Sequence, residues 1–255
     1  MARQLGDNQE LGDLLQRLAY VYSEKPELES ALTLAEQATL VHVRSGNRTG
    51  AGKTLVDQGI WLYYLDRWAE ANAVQRLALE WLPPEESHNR TAAFVNLALN
   101  HLKLEAPQLS LEFIELAELE AVGLVEIETA RVRWVRGLVL EALGEHDDAA
   151  ACLEAVLEEW SAVHLGNMAL VACDLARVFV RLNRLHEAYR TTLCLRKLVE
   201  PLRKNKTASV AIARFLRDAE EAVSFALVQE IRSRIEGELR KRRWWRLLWV
   251  ERRNT

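Results

Sequence analysis

Apolar residues recur along this chain at helical spacing, and the spacing itself repeats. Ala149, Cys152, Leu153, Val156, Leu157 and Trp160 fall at i, i+3, i+4, i+7, i+8 and i+11, the stripe of an amphipathic helix. Ala71, Val74, Ala78, Leu79 and Leu82 form a similar stripe one face over. Gly59, Ala98, Gly137 and Ala176 form a column of constant step, and Ala71, Ser110, Ala149 and Ala188 form a second column of the same step further on. Leu65, Leu104, Leu143 and Leu182 keep that step between them. Such a 39-residue step predicts stacked supersecondary units. Two columns hold tiny side chains, which let two helix backbones approach closely. They mark the crossing of the two helices of a hairpin.

The Leu column closes the first helix of each unit. Short turns follow at Asp66-Arg67, Glu105-Ala106, Gly144-Glu145 and Asn183-Arg184. Pro107 opens a second helix, where its missing N–H costs nothing. Pro83-Pro84 and Pro201 end second helices. The pattern predicts hairpins over 8–45, 51–84, 88–122, 125–161 and 164–201. A less regular helix pair is expected over 206–241, where Val228, Ile231, Ile235 and Leu239 keep a stripe.

The segment from Gly137 to Ala149, with Leu153 and Val156, resembles the tetratricopeptide signature. Gly137, Leu140, Gly144, Ala149, Leu153 and Val156 fill its small, large, glycine, alanine, large and apolar places. Ala176, Phe179, Asn183, Ala188, Thr192 and Leu195 fill them one unit later, and Ala19, Tyr22, Ala31, Ala35 and Ala38 do so in part near the N-terminus. The unit is longer than the family's usual one, and Trp134 stands one residue after the family's tryptophan place. The resemblance spans about residues 8–200 and extends to bacterial regulatory and scaffold proteins built from degenerate arrays. It implies an all-α, right-handed α-solenoid of five to six helix-turn-helix repeats. The expected division is a repeat array over 1–201, a capping helix pair over 202–239 and a basic aromatic tail over 240–255.

Composition agrees with helix throughout. Gly and Pro together number only 16 of 255 residues, about half the ordinary share. The net charge of −4 conceals an asymmetry: residues 238–255 carry +5, so the preceding 237 carry −9. Cys152, Cys173 and Cys194 lie at equal intervals, without metal-ligand spacing and in odd number, which predicts free thiols in a reducing compartment. No apolar run has membrane-spanning length and no signal stretch follows Met1, so the expected location is the cytoplasm.

Catalytic chemistry finds little support. Gly46 to Thr54 approaches a phosphate-binding loop, but Asn47 stands where the first glycine belongs and no strand pattern precedes it. The segment reads instead as a Gly-rich turn between repeats, with Lys53 opening the next helix. The six histidines are scattered, and paired acids such as Asp147-Asp148 suit helix N-termini. Neither enzyme activity nor a cofactor or metal is expected.

The resemblance implies that first helices line a concave groove. Its groove positions carry over to Lys53, Tyr63, Tyr64, Lys103, Arg131, Trp134, Arg177 and Arg181, with Asn96 and Asn100 nearby. Cations and aromatics in an acidic chain suit a protein or peptide partner bearing carboxylates. The second candidate is the tail: Arg240, Lys241, Arg242, Arg243, Trp244, Trp245, Arg246 and Trp249 pack three of eight tryptophans into six residues. Such a segment caps the last hairpin, docks a partner or second protomer, or meets nucleic acid or anionic lipid. Capping and protein docking are favoured over nucleic acid and anionic lipid, and charges that do not segregate to one face weaken the membrane-surface reading. Exposed tryptophans there would favour self-association through the C-terminal end.

Overall fold

The computed structural model describes residues 2–23, 28–159, 165–184, 186–188 and 190–191. Nine α-helices run through them: α1 (Ala2–Ser23), α2 (Leu28–Arg44), α3 (Arg48–Tyr64), α4 (Trp68–Trp81), α5 (Ser87–Lys103), α6 (Pro107–Glu120), α7 (Glu126–Leu143), α8 (His146–Glu159) and α9 (Leu165–Arg181). No strand occurs among the described residues. Residues 186–188 and 190–191 are helical as well. The expected helix pair over 202–239, the tail, Trp160, Thr192, Cys194, Leu195 and Pro201 lie outside the described residues.

The fold forms two compact units, residues 1–135 and residues from 136 onward. In the first, α1 packs on α2, α3 on α4 and α5 on α6, and successive hairpins meet through α2 with α3, α4 with α5, and α3 with α5. In the second, α8 packs on α9, and Gly137 of α7 lies against Leu153 of α8.

The turns show why the unit repeats. Asp66, Glu105, Gly144 and Asn183 all have φ between 56° and 87°, the left-handed region, and each stands one repeat after the last. Each sits in the same pair of bonds. Arg67 N donates to Leu62 O (2.9 Å) and Asp66 N to Tyr63 O (3.1 Å). Ala106 and Glu105, Glu145 and Gly144, and Arg184 and Asn183 donate in the same way. This is the six-to-one and five-to-two closure that satisfies the last carbonyls of a helix. The chain then enters the second helix after one more residue. The second small column follows one turn in: Ala71, Ser110, Ala149 and Ala188 donate to the carbonyls of Arg67, Ala106, Glu145 and Arg184.

The small columns do meet across the hairpin. Ser110 Oγ donates to Ala98 O at 2.5 Å. A Cβ on Gly137 would stand 2.9 Å from Leu153 Cδ2, and one on Gly59 would collide with the Gln75 amide. Gln75, Ile114 and Leu153 occupy one position of successive second helices, and all three are fully buried.

Helix α3 lacks the amphipathic stripe of its neighbours because it is enclosed from several sides. Leu55 and Val56 pack with Ala78, Leu82 and Ala93. Trp61 packs with Ala19, Ala31 and Ala35. Leu62 packs with Leu32 and Ala71. Four helices thus share the apolar side chains of one.

Two boundaries differ from the sequence reading. α1 starts at Ala2 rather than near residue 8. α3 starts at Arg48, so Lys53 lies inside the helix instead of opening it. The reason is the Asn47 side chain, which accepts from Gly50 N at 2.9 Å and caps the helix early. The glycines of this segment answer to packing. Gly50 faces the His42 ring, with Nδ1 2.8 Å from where a Cβ would be, and Gly52 faces Leu82. Phosphate-cradling geometry is therefore not what they provide.

Candidate functional site

The first helices carry polar groups at equivalent places. Asp57, Trp61 and Tyr64 of α3 recur, one repeat on, as Asn96, Asn100 and Lys103 of α5. Each trio is spaced i, i+4, i+7, so it lies along one helix face. The structure gives the two trios different surroundings.

Asp57 is 6% exposed and accepts hydrogen bonds from Gln16 Nε2 at 2.6 Å and from the Tyr20 hydroxyl. Tyr20 also meets Trp61 edge-on, with ring centroids 5.7 Å apart. Burial raises the Asp57 pKa above its ordinary value, while the Tyr20 and Gln16 hydrogen bonds pull it down. Burial also raises the Tyr20 pKa, and the Asp57 charge and hydrogen bond add to the rise.

Asn96 and Asn100 are buried, Asn100 completely. Asn96 Nδ2 and both amide atoms of Asn100 have no hydrogen-bond partner among the described residues. Arg131 Nη2 of α7 reaches Asn96 Oδ1 at 3.4 Å. Arg131 keeps solvent access, yet the protein crowding its guanidinium lowers its pKa, with Tyr64 and Glu128 acting in the opposite sense. Glu128 itself pairs with His88. Lys103 is exposed at the end of α5, and neither it nor Arg131 forms an ion pair among the described residues. Tyr64 is 60% exposed and meets Tyr63 edge-on at 5.5 Å.

The remaining expected positions are engaged elsewhere. Lys53 Nζ pairs with Glu86 at 2.8 Å. Trp134 is half-buried. In the second unit, Arg177 grips Glu141, Nε to Oε1 at 2.8 Å, and lies 3.1 Å from Asp174. Arg181 Nε lies 3.3 Å from Glu141 Oε1. The structure therefore brings Asn96, Asn100, Arg131 and Tyr64 into one neighbourhood and ties Arg177 and Arg181 to a buried carboxylate. The tail residues lie outside the described set.

Sequence reasoning missed Asp57, Gln16, Tyr20 and Glu141. For Glu141 a signal existed: it shares the register of Tyr63 and Leu102, a groove position carried over in one repeat and passed over here. For Asp57 the register with Asn96 was available. Its partners on α1 were not, because the first hairpin departs from the 39-residue step. Among the described residues no group of His, Cys, Asp or Glu could hold a metal ion, and no helix is long and apolar enough to cross a membrane.

No protein-family model matches the chain, and no curated protein matches it in sequence. Solved structures do match in fold. A Rap protein complexed with Competence and Sporulation Factor superposes with a TM-score of 0.72 at 11% identity, over 88% of this chain and 63% of that one. The chain thus spans less than two thirds of that protein. Aspartyl phosphate phosphatase F from Bacillus subtilis matches with a TM-score of 0.67 at 12% identity, over 99% of this chain and 68% of that one. A thermophilic TPR protein from Thermus thermophilus matches with a TM-score of 0.60 at 19% identity, over 80% and 98%. The chain has the fold of tetratricopeptide-like helical-repeat proteins.

Proposed function

We propose that this tetratricopeptide-like repeat protein is a non-catalytic interaction module that holds a carboxylate-bearing segment of a partner protein along the face built by α3, α5 and the start of α7. The observation that carries this reading is the neighbourhood of Arg131. Arg131, an exposed cation that forms no ion pair among the described residues, stands beside exposed Tyr64, and exposed Lys103 ends the neighbouring helix, in a chain that is acidic overall. Beneath it, Asn96 and Asn100 keep amide atoms unbonded. Each such buried group costs roughly 1–3 kcal/mol, a cost that a bonded ligand would relieve. Charge-assisted hydrogen bonds from Arg131 to a carboxylate would supply affinity, and aromatic contact with Tyr64 would supply area. That one fold relative is complexed with a factor supports binding as the activity.

The test is selection from a displayed library of acidic peptides by the full chain, followed by titration of the strongest binder. Arg131→Glu combined with Lys103→Glu is expected to weaken that binder at least tenfold, about 1.4 kcal/mol, with the fold intact. Equal binding by the double variant would overturn the assignment. Binding that survives nuclease treatment excludes a nucleic-acid bridge through residues 240–253.

A further inference from the structure

Helix α6 carries an apolar surface that its repeat does not need. Ser110, Ile114 and Ala117 face inward and are fully buried. At about 100° per residue, Leu119 projects from the opposite side, with Leu109 and Leu116 beside it. Leu119 is 71% exposed, and Val122 and Val125 extend the surface past the helix end at 81% and 63%. Two of these side chains depart from the repeat. Where α6 has Leu109 and Leu119, the equivalent places on α4 hold Glu70 and Glu80, and those on α8 hold Asp148 and Glu158. The sequence has put leucine where its own pattern puts acid.

The charge that α6 and the turn after it carry has one sign, although Arg76 of α4 lies 5.1 Å over the Phe113 ring. Between Lys103 and Arg131 there are seven glutamates and no lysine, arginine or histidine. Glu120 is paired with Arg90 and Glu128 with His88. Glu112, Glu115 and Glu126 are exposed beside the leucines and valines. A surface of this kind repels phosphate and anionic lipid and attracts cations. Its apolar side chains follow one helix for about three turns, the footprint of a single helix laid alongside. Five side chains cover far less than the roughly 1,200 Å² of a stable dimer interface, which also favours a small occupant.

We propose that the outer face of α6 and the turn after it, from Leu109 to Val125, docks a basic amphipathic helix of a partner protein. Leu116, Leu119, Val122 and Val125 receive its apolar stripe, and Glu112, Glu115 and Glu126 meet its lysines or arginines. This site centres on α6 rather than on Arg131 and is of opposite charge.

The probe is a labelled 18-residue synthetic helix with lysines on one face and leucines on the other, titrated into the full chain by fluorescence anisotropy. A glutamate-for-lysine version is the control. The basic helix is expected to bind at least tenfold more tightly than the acidic one. Leu119→Glu with Val122→Glu is expected to lower its affinity at least tenfold, and Glu112→Lys with Glu115→Lys at least fivefold. Leu119→Ser with Val122→Ser serves as a milder pair, and unchanged melting checks the fold of each. Arg131→Glu leaves this binding unchanged, which separates the two sites. Unchanged affinity in the Leu119→Glu, Val122→Glu chain would overturn the proposal. So would loss of the basic helix in the Arg131→Glu chain. Self-association of the wild-type chain in sedimentation, abolished by Leu119→Glu, would give the face to a second copy and overturn the assignment to a separate partner.

Discussion

The hairpins α3–α4 and α5–α6 share one register and fill it differently. At the centre of the second helix, α4 buries Gln75 where α6 buries Ile114. Gln75 reaches back through the space left by Gly59 and donates to Val56 O at 3.0 Å, leaving its own Oε1 without a partner among the described residues. In the other hairpin Ala98 replaces the glycine, and Ser110 closes the crossing with a hydrogen bond to Ala98 O. On the first helices the contrast reverses. The acid of α3 is satisfied by Gln16 and Tyr20, whereas the asparagines of α5 keep unbonded amide atoms. One hairpin places its polar imperfection inside the helix crossing, and the other on a face beside exposed cations. The repeat fixes where helices cross and leaves free which face is left polar.

Ile114→Ala attacks the comparison hardest. It removes a fully buried side chain at the crossing and should cost about 3 kcal/mol in urea unfolding. A cost below about 1 kcal/mol would mean that this crossing is not tightly packed. Gln75→Leu converts one hairpin toward the other. It removes an orphaned acceptor and restores the apolar choice of Ile114 and Leu153, so a gain of about 1 kcal/mol is expected. A loss instead would show that the bond to Val56 O outweighs the orphan.

The turns sharpen the comparison further. Glu105 and Asp66 both hold left-handed φ, 56° and 59°. Glu105→Gly should stabilise by about 0.5–1 kcal/mol, and Asp66→Gly by less, because aspartate tolerates this region better. Equal gains would contradict that steric account.

The smallest effect is one of pH. Asp57 has a folded pKa above its unfolded value, so the folded state holds the proton more tightly and stability contributed by this group is present at low pH. It is lost as pH rises through the folded pKa. Asp57→Asn should therefore flatten the pH dependence of melting just above the ordinary carboxylate range and raise the melting temperature at neutral pH. A variant that melts lower at neutral pH would show that the ionised carboxylate is needed by Tyr20 and Gln16.

The fold was legible because its determinants are local and periodic. Ala71, Ser110 and Ala149 announce crossings by size, and Asp66, Glu105, Gly144 and Asn183 announce turns by position. The early start of α3 was not legible, since Asn47 caps only if its side chain turns to Gly50 N, and the glycines after it invited a loop reading. The candidate site was legible in part. Arg131, Asn96 and Tyr64 were named from register, but the capture of Arg177 and Arg181 by Glu141 depends on which side chains neighbouring first helices bring opposite each other. Periodicity gives a position on a helix and is silent on the partner it meets. The apolar face of α6 is legible only by subtraction, as the place where leucine stands against the repeat's own glutamate.

The recurrent closure at Asp66, Glu105, Gly144 and Asn183 has a kinetic consequence. Each turn joins two helices through very few residues, so the helices meet after closing only a short loop. Most native contacts then link residues close in sequence, which is the condition for rapid folding. Order can begin at whichever turn closes first and spread to its neighbours. Each described hairpin can thus form from its own residues, without first drawing in distant parts of the chain.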